Sequence, residues 1–76
     1  MTGRARALLG WLLEDPEQRR LVRQRSLEWY KVDGSTRTRV RNDDVAALTS
    51  GGLVEAPRPW TEYHISTWGR IVFEGS

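Results

Sequence analysis

Val40-Arg41-Asn42-Asp43-Asp44-Val45-Ala46-Ala47-Leu48-Thr49-Ser50-Gly51-Gly52-Leu53-Val54, taken up again at Tyr63-His64-Ile65-Ser66-Thr67-Trp68-Gly69-Arg70, is the stretch that decides the fold. Asn42 suits an N-cap, and Asp43 and Asp44 fall in the first turn, where the helix dipole favours carboxylates. Val45 and Leu48 lie one turn apart and point inward, and Gly51 or Gly52 supplies a left-handed C-cap. Leu53-Val54-Glu55 reads as a short strand. Ala56 to Trp60 reads as a loop stiffened by Pro57 and Pro59, and Thr61 to Ile65 as the return strand. Ser66 caps a last helix expected to run to about Glu74.

Upstream, the pattern changes to a period of two. Leu27-Glu28-Trp29-Tyr30-Lys31-Val32 is β-prone, Asp33-Gly34 is a short turn signal, and Ser35 to Val40 returns as a hairpin strand. Thr36, Thr38 and Val40 take one face of that strand, and Arg37, Arg39 and Arg41 take the other. Three guanidinium groups on one side cannot be buried without partners, so they face water or something acidic. Further upstream, Asp15-Pro16-Glu17-Gln18 reads as a helix start, which predicts a helix to about Arg25 carrying Arg19, Arg20 and Arg23. A first helix is expected from about Arg4 to Leu13, capped by Thr2, with Ala5, Leu8, Leu9, Leu12 and Leu13 on its apolar face. Gly10 within it marks close packing against a neighbour.

A chain of 76 residues makes one domain. Its core alone rarely supplies more than roughly 3–5 kcal/mol. With no cysteine, disulfides and thiolate metal sites are excluded, so a homodimer or a bound partner is the expected reinforcement. No apolar run approaches bilayer length, and the interrupted stretch from Ala5 to Leu13 makes a poor signal peptide. A soluble, cytoplasmic protein with no membrane partner is expected. The net charge of +2 hides an asymmetry. Residues 19–41 hold Arg19, Arg20, Arg23, Arg25, Lys31, Arg37, Arg39 and Arg41 against only Glu28 and Asp33, whereas acidic residues prevail on both sides of that segment. One-sided charge of this density suits an anionic partner.

The run Val45-x-x-Leu48, then Gly52-Leu53-Val54, then Tyr63-x-Ile65-Ser66-x-x-Gly69-Arg70 is similar to the closing half of winged helix-turn-helix DNA-binding domains. Many of these end a helix in Gly-Leu-Val, form a wing, and close with Leu-Thr-x-x-Gly-Arg, for which Ile65 and Ser66 here stand in the Leu-Thr place. Trp29-Tyr30-Lys31-Val32-Asp33-Gly34 followed by Val40 also resembles small phage- or plasmid-type members, where a Trp-containing hairpin precedes the helix. The resemblance covers roughly residues 27–70. With the elements above, the expected fold is a small α+β, winged-helix-like domain. Its order is two N-terminal helices, a β-hairpin, a central helix, a wing hairpin and a short C-terminal helix. The resemblance implies double-stranded DNA binding by a dimer, as a small transcriptional regulator or an excisionase-like accessory factor.

Two departures move the functional expectation upstream. A helix-turn-helix joins its helices by a turn of about 3–4 residues, whereas a hairpin separates the second and central helices here. The central helix also begins Asn42-Asp43-Asp44, and carboxylates repel phosphates where a recognition helix would read bases. The expected DNA contacts are therefore Arg19, Arg20, Arg23, Arg37, Arg39 and Arg41, with Arg58 from the wing tip, because guanidinium groups pair bidentately with phosphate. The rival is a protein-interaction module, such as a phage-type inhibitor gripping an acidic host protein. Nothing points to catalysis, a metal or a cofactor. His64 is the lone histidine, capping explains Asp43 and Asp44, and Ser35, Ser50 and Ser66 lack a base. Trp11 and Trp29 are expected in the core, and Trp60 at the wing tip as an anchor or a lid over the sheet. Trp68 is expected in the core or at a dimer contact.

Overall fold

The computed structural model describes residues 2–24, 27–56 and 62–75. The elements, in chain order, are α1 (Gly3–Glu14), β1 (Arg19–Arg23), β2 (Trp29–Asp33), β3 (Thr36–Val40), α2 (Asn42–Ser50), β4 (Val54–Glu55), β5 (Glu62–Ile65) and α3 (Thr67–Glu74). The class is α+β, and the described residues form three helices and one five-stranded antiparallel sheet in the order β3-β2-β1-β5-β4. No helix among the described residues is long and apolar enough to cross a membrane.

One N-terminal helix is present, not two. The expected second helix is the central strand β1, flanked by β2 and β5. Asp15 does start a turn, accepting the Gln18 and Arg19 amides at 3.2 and 2.9 Å, but the turn is not continued. Leu21 decides the outcome. It sits between Lys31 on β2 and Tyr63 on β5 and is wholly buried, while two strand ladders satisfy the backbone around it.

The sheet has one covered face and one open face, and strand register assigns each side chain. Leu21, Trp29, Val40, Tyr63, Ile65 and Val54 share the covered face and meet Leu8, Leu9 and Leu12 of α1, Val45 and Leu48 of α2, and Val72 and Phe73 of α3. Trp29 and Tyr63 meet edge to face, with ring centroids 5.2 Å apart. The open face carries Arg20, Val22, Tyr30, Val32, Arg37, Arg39, Glu62 and His64. Val32 is buried there without an overlying helix. Its direct cross-strand neighbours are Arg20 and Arg37.

The helix ends follow their local signals. Thr2 Oγ1 accepts the Ala5 amide at 3.1 Å and starts α1. At α2 the cap position belongs to Arg41, whose carbonyl accepts from Asp44 and Val45, and Asn42 is already helical without a side-chain cap bond. The end of α2 is a Schellman motif. The Gly52 amide reaches the Thr49 carbonyl at 3.1 Å and the Leu53 amide reaches that of Leu48 at 2.9 Å, with Gly52 at φ +69°. Ser66 then ties three segments together. Its hydroxyl accepts the Gly69 amide at 2.9 Å and donates to the Gly52 carbonyl at 2.7 Å, and its amide donates to the Leu53 carbonyl at 3.0 Å. A Cβ on Gly69 would collide with that same Leu53 carbonyl, so only glycine lets α3 dock here. Gly10 meets the Phe73 ring, which confirms it as the close approach between α1 and α3.

Candidate nucleic-acid interface

The arginines do not form one face. In β1, Arg19 and Arg23 belong to the covered side and Arg20 to the open side, because alternate residues of a strand point oppositely. In β3, Arg37 and Arg39 share the open face with Arg20, while Arg41 follows the strand at the start of α2. Arg58 and Trp60 lie outside the described residues.

Arg19 is an internal clamp. Its guanidinium reaches Asp33 at 3.1 Å, Glu14 at 3.1 Å and the Trp11 carbonyl at 2.8 Å, and it lies 4.7 Å from the Trp11 ring centroid. Partial desolvation disfavours its charge, but the hydrogen bonds to Asp33 and Glu14 outweigh that and raise its pKa further. Arg20 is held by Glu62 at 2.7 Å and donates to the Gln18 carbonyl. Arg39 lies 3.6 Å from Glu28, whose other oxygen takes the Tyr30 hydroxyl at 2.7 Å. That hydrogen bond, with some desolvation and the Glu28 charge, raises the Tyr30 pKa against the opposing pull of Arg39 and Arg37.

Three cations of the hairpin region remain without a carboxylate in ion-pairing reach among the described residues: Lys31, Arg37 and Arg41. Arg37 stands 5.7 Å from the Tyr30 ring centroid on the open face, and Lys31 lies 5.0 Å from that of Trp11 on the covered side. Strand β3 is exposed from Thr36 to Arg39 on both faces. The turn at its tip has Gly34 at φ +59° and Ser35 at negative φ, a type II′ turn with glycine at the first central position. The N-terminus of α2 is acidic as expected. Asp43 is exposed and Asp44 is buried against Arg4, at 3.5 Å.

The intramolecular pairs of Arg19 and Arg20 had no signal in the sequence, because Asp33 and Glu62 are brought to them only by the strand register. Trp11 and Trp29 pack against the core, while Trp68 is exposed on α3. His64 sits on the open face opposite Glu55, and no group of three metal-ligating side chains occurs among the described residues. Comparison with protein-family models, with curated proteins and with solved structures finds no match.

Proposed function

We propose that this protein binds double-stranded DNA through its β2–β3 ribbon, as a small transcriptional regulator or excisionase-like accessory factor. The chain is then a divergent winged helix in which β1 and the hairpin stand where a second helix is usual, followed by α2, the β4–β5 wing and α3. One observation carries the reading: β3 is exposed from Thr36 to Arg39, with Arg37 and Arg41 unneutralised among the described residues and Arg39 only loosely held. A two-stranded ribbon fits the ~12 Å width of a major groove. Helix α2 is a poor reader by comparison, since Asp43 and Asp44 crowd its N-terminus. The binding residues are Arg37, Arg39 and Arg41. Arg19 and Arg20 maintain the sheet instead, and Arg23, exposed at the far end of β1, is peripheral.

Duplex affinity measured against salt tests this. Three phosphate contacts give a log–log slope of about −2.7, and removing Arg37 and Arg39 brings it to about −0.9. Absence of duplex binding at low salt, or a slope unchanged in the double Arg37→Ala, Arg39→Ala variant, overturns the assignment.

A further inference from the structure

The outer edge of β3 has backbone groups that no described residue uses. It is the last strand on its side of the sheet. The two-residue turn makes Asp33 and Thr36 a hydrogen-bonded pair, and alternation then makes Lys31–Thr38 and Trp29–Val40 hydrogen-bonded pairs too. Thr36, Thr38 and Val40 therefore bond inward to β2. The N–H and C=O groups of Arg37 and Arg39 point outward, away from the sheet.

A groove of about 530 Å³ runs alongside this edge, between α1 and the covered side of the ribbon. Leu8, Trp11 and Val40 form its apolar lining, with Lys31, Thr38 and Arg41 among its polar groups. Its two carboxylates are already engaged, Asp44 by Arg4 and Glu14 by Arg19. Lys31 and Arg41 in the groove and Arg37 on the open face are left without a countercharge among the described residues.

We propose that the β3 edge accepts an extended acidic peptide as an added strand, pairing with Arg37 and Arg39 and seating an apolar side chain against Trp11. The physics is that of strand addition: main-chain bonds give affinity, and alternate side chains enter a pocket or face outward. Carboxylates of such a strand lie across from Arg37 and Arg39 on the open face, and its apolar residues fall on the groove side. A second copy of this chain fits badly. Pairing β3 with itself sets arginine beside arginine, and like charges directly opposite are destabilising. The inference does not depend on DNA binding, because phosphate contacts need the guanidinium groups and not the groove or the strand ladder.

Amide hydrogen exchange tests it, with a short capped peptide of alternating glutamate and valine as the probe. In the free protein the Arg37 and Arg39 amides exchange fast, beside slow Thr36 and Thr38. Saturating peptide slows Arg37 and Arg39 by about tenfold or more. A lysine–valine peptide and an N-methylated glutamate–valine peptide both fail to do so. A paired variant separates ladder from charge: Arg39→Pro removes an outward amide without touching the β2 ladder, whereas Arg39→Thr removes only the cation. Proline then abolishes the residual peptide binding that threonine retains, in proteins with similar melting temperatures. Three results overturn the proposal. One is no protection by the acidic peptide, and another is equal protection by the N-methylated control. The third is protection of both amides by a short duplex but not by the peptide, which assigns the edge to DNA. Loss of duplex binding alone refutes the preceding section and leaves this inference standing.

Discussion

The covered part of the sheet and the β2–β3 ribbon treat the same residue type in opposite ways. Under the helices, Arg19 is fixed by two carboxylates, a carbonyl and an indole ring. On the ribbon, Arg37 has, among the described residues, only the face of Tyr30. The difference follows from what each region must satisfy. A guanidinium at the edge of a core must have its donors paired or it opposes folding. On an edge strand, charge keeps the strand soluble and deters self-pairing. Charge count along the chain is thus a poor guide to charge available to a partner.

The largest test of this contrast lies on the covered side. Gly69→Ala places a methyl group into the Leu53 carbonyl, and neither α3 nor the α2–β4 corner can yield without losing the Ser66 bonds. The expected loss is about 3 kcal/mol or more, comparable with the whole stability of a domain this small. The variant should be unfolded by circular dichroism at ambient temperature. A cooperative melt close to the parent's would show that the corner is looser than its geometry.

Next comes the contrast between the two arginines themselves. Arg19→Met keeps an unbranched apolar side chain but removes the guanidinium that lies over Trp11 and bonds the Trp11 carbonyl, Asp33 and Glu14, of which the two carboxylates turn to water. Its melting temperature should fall well below the parent's. Arg37→Ala, by comparison, should change stability by no more than about 0.5 kcal/mol. Equal melting temperatures for the two variants would erase the distinction between clamp and ribbon cations.

The legible part of the fold was the part written in local chemistry. Thr2 and Ser66 as caps and Gly52 as the left-handed helix end act within a few residues and stand where those rules place them, whereas the turn falls at Gly34-Ser35, one residue beyond the Asp33-Gly34 reading, with Asp33 still in β2. Strand β1 was not legible, because Asp15-Pro16 is a real turn signal whose continuation depends on Lys31 and Tyr63 closing over Leu21. Arg19-Arg20-Leu21-Val22-Arg23 shows no apolar–polar alternation, and β-branched Val22 was its one weak sign of a strand. The candidate site was legible only in its β3 part. Thr36-Arg37-Thr38-Arg39 alternates as strictly in space as in sequence, while the partners of Arg19 and Arg20 come from pairing that no local rule reveals.

The smallest expected effect tests how open the open face is. Tyr30, Glu28 and Arg39 form its most complete polar cluster, and Glu28 competes there with any outside anion for Arg39. The Tyr30 phenol is held above its ordinary value near 10, chiefly by its bond to Glu28. Because the folded pKa is the raised one, its contribution to stability is fully present below about pH 10. That contribution is lost as pH climbs through the folded value. Glu28→Ala removes the bond and the carboxylate and leaves the Arg37 and Arg39 charges, which favour phenolate, so the Tyr30 pKa should fall. Ultraviolet titration of the phenolate in a Tyr63→Phe background isolates the residue. The same substitution frees Arg39 and should strengthen duplex binding slightly at low salt. A lowered pKa with unchanged affinity would place Arg39 outside the DNA contact and leave Arg37 and Arg41 to carry it.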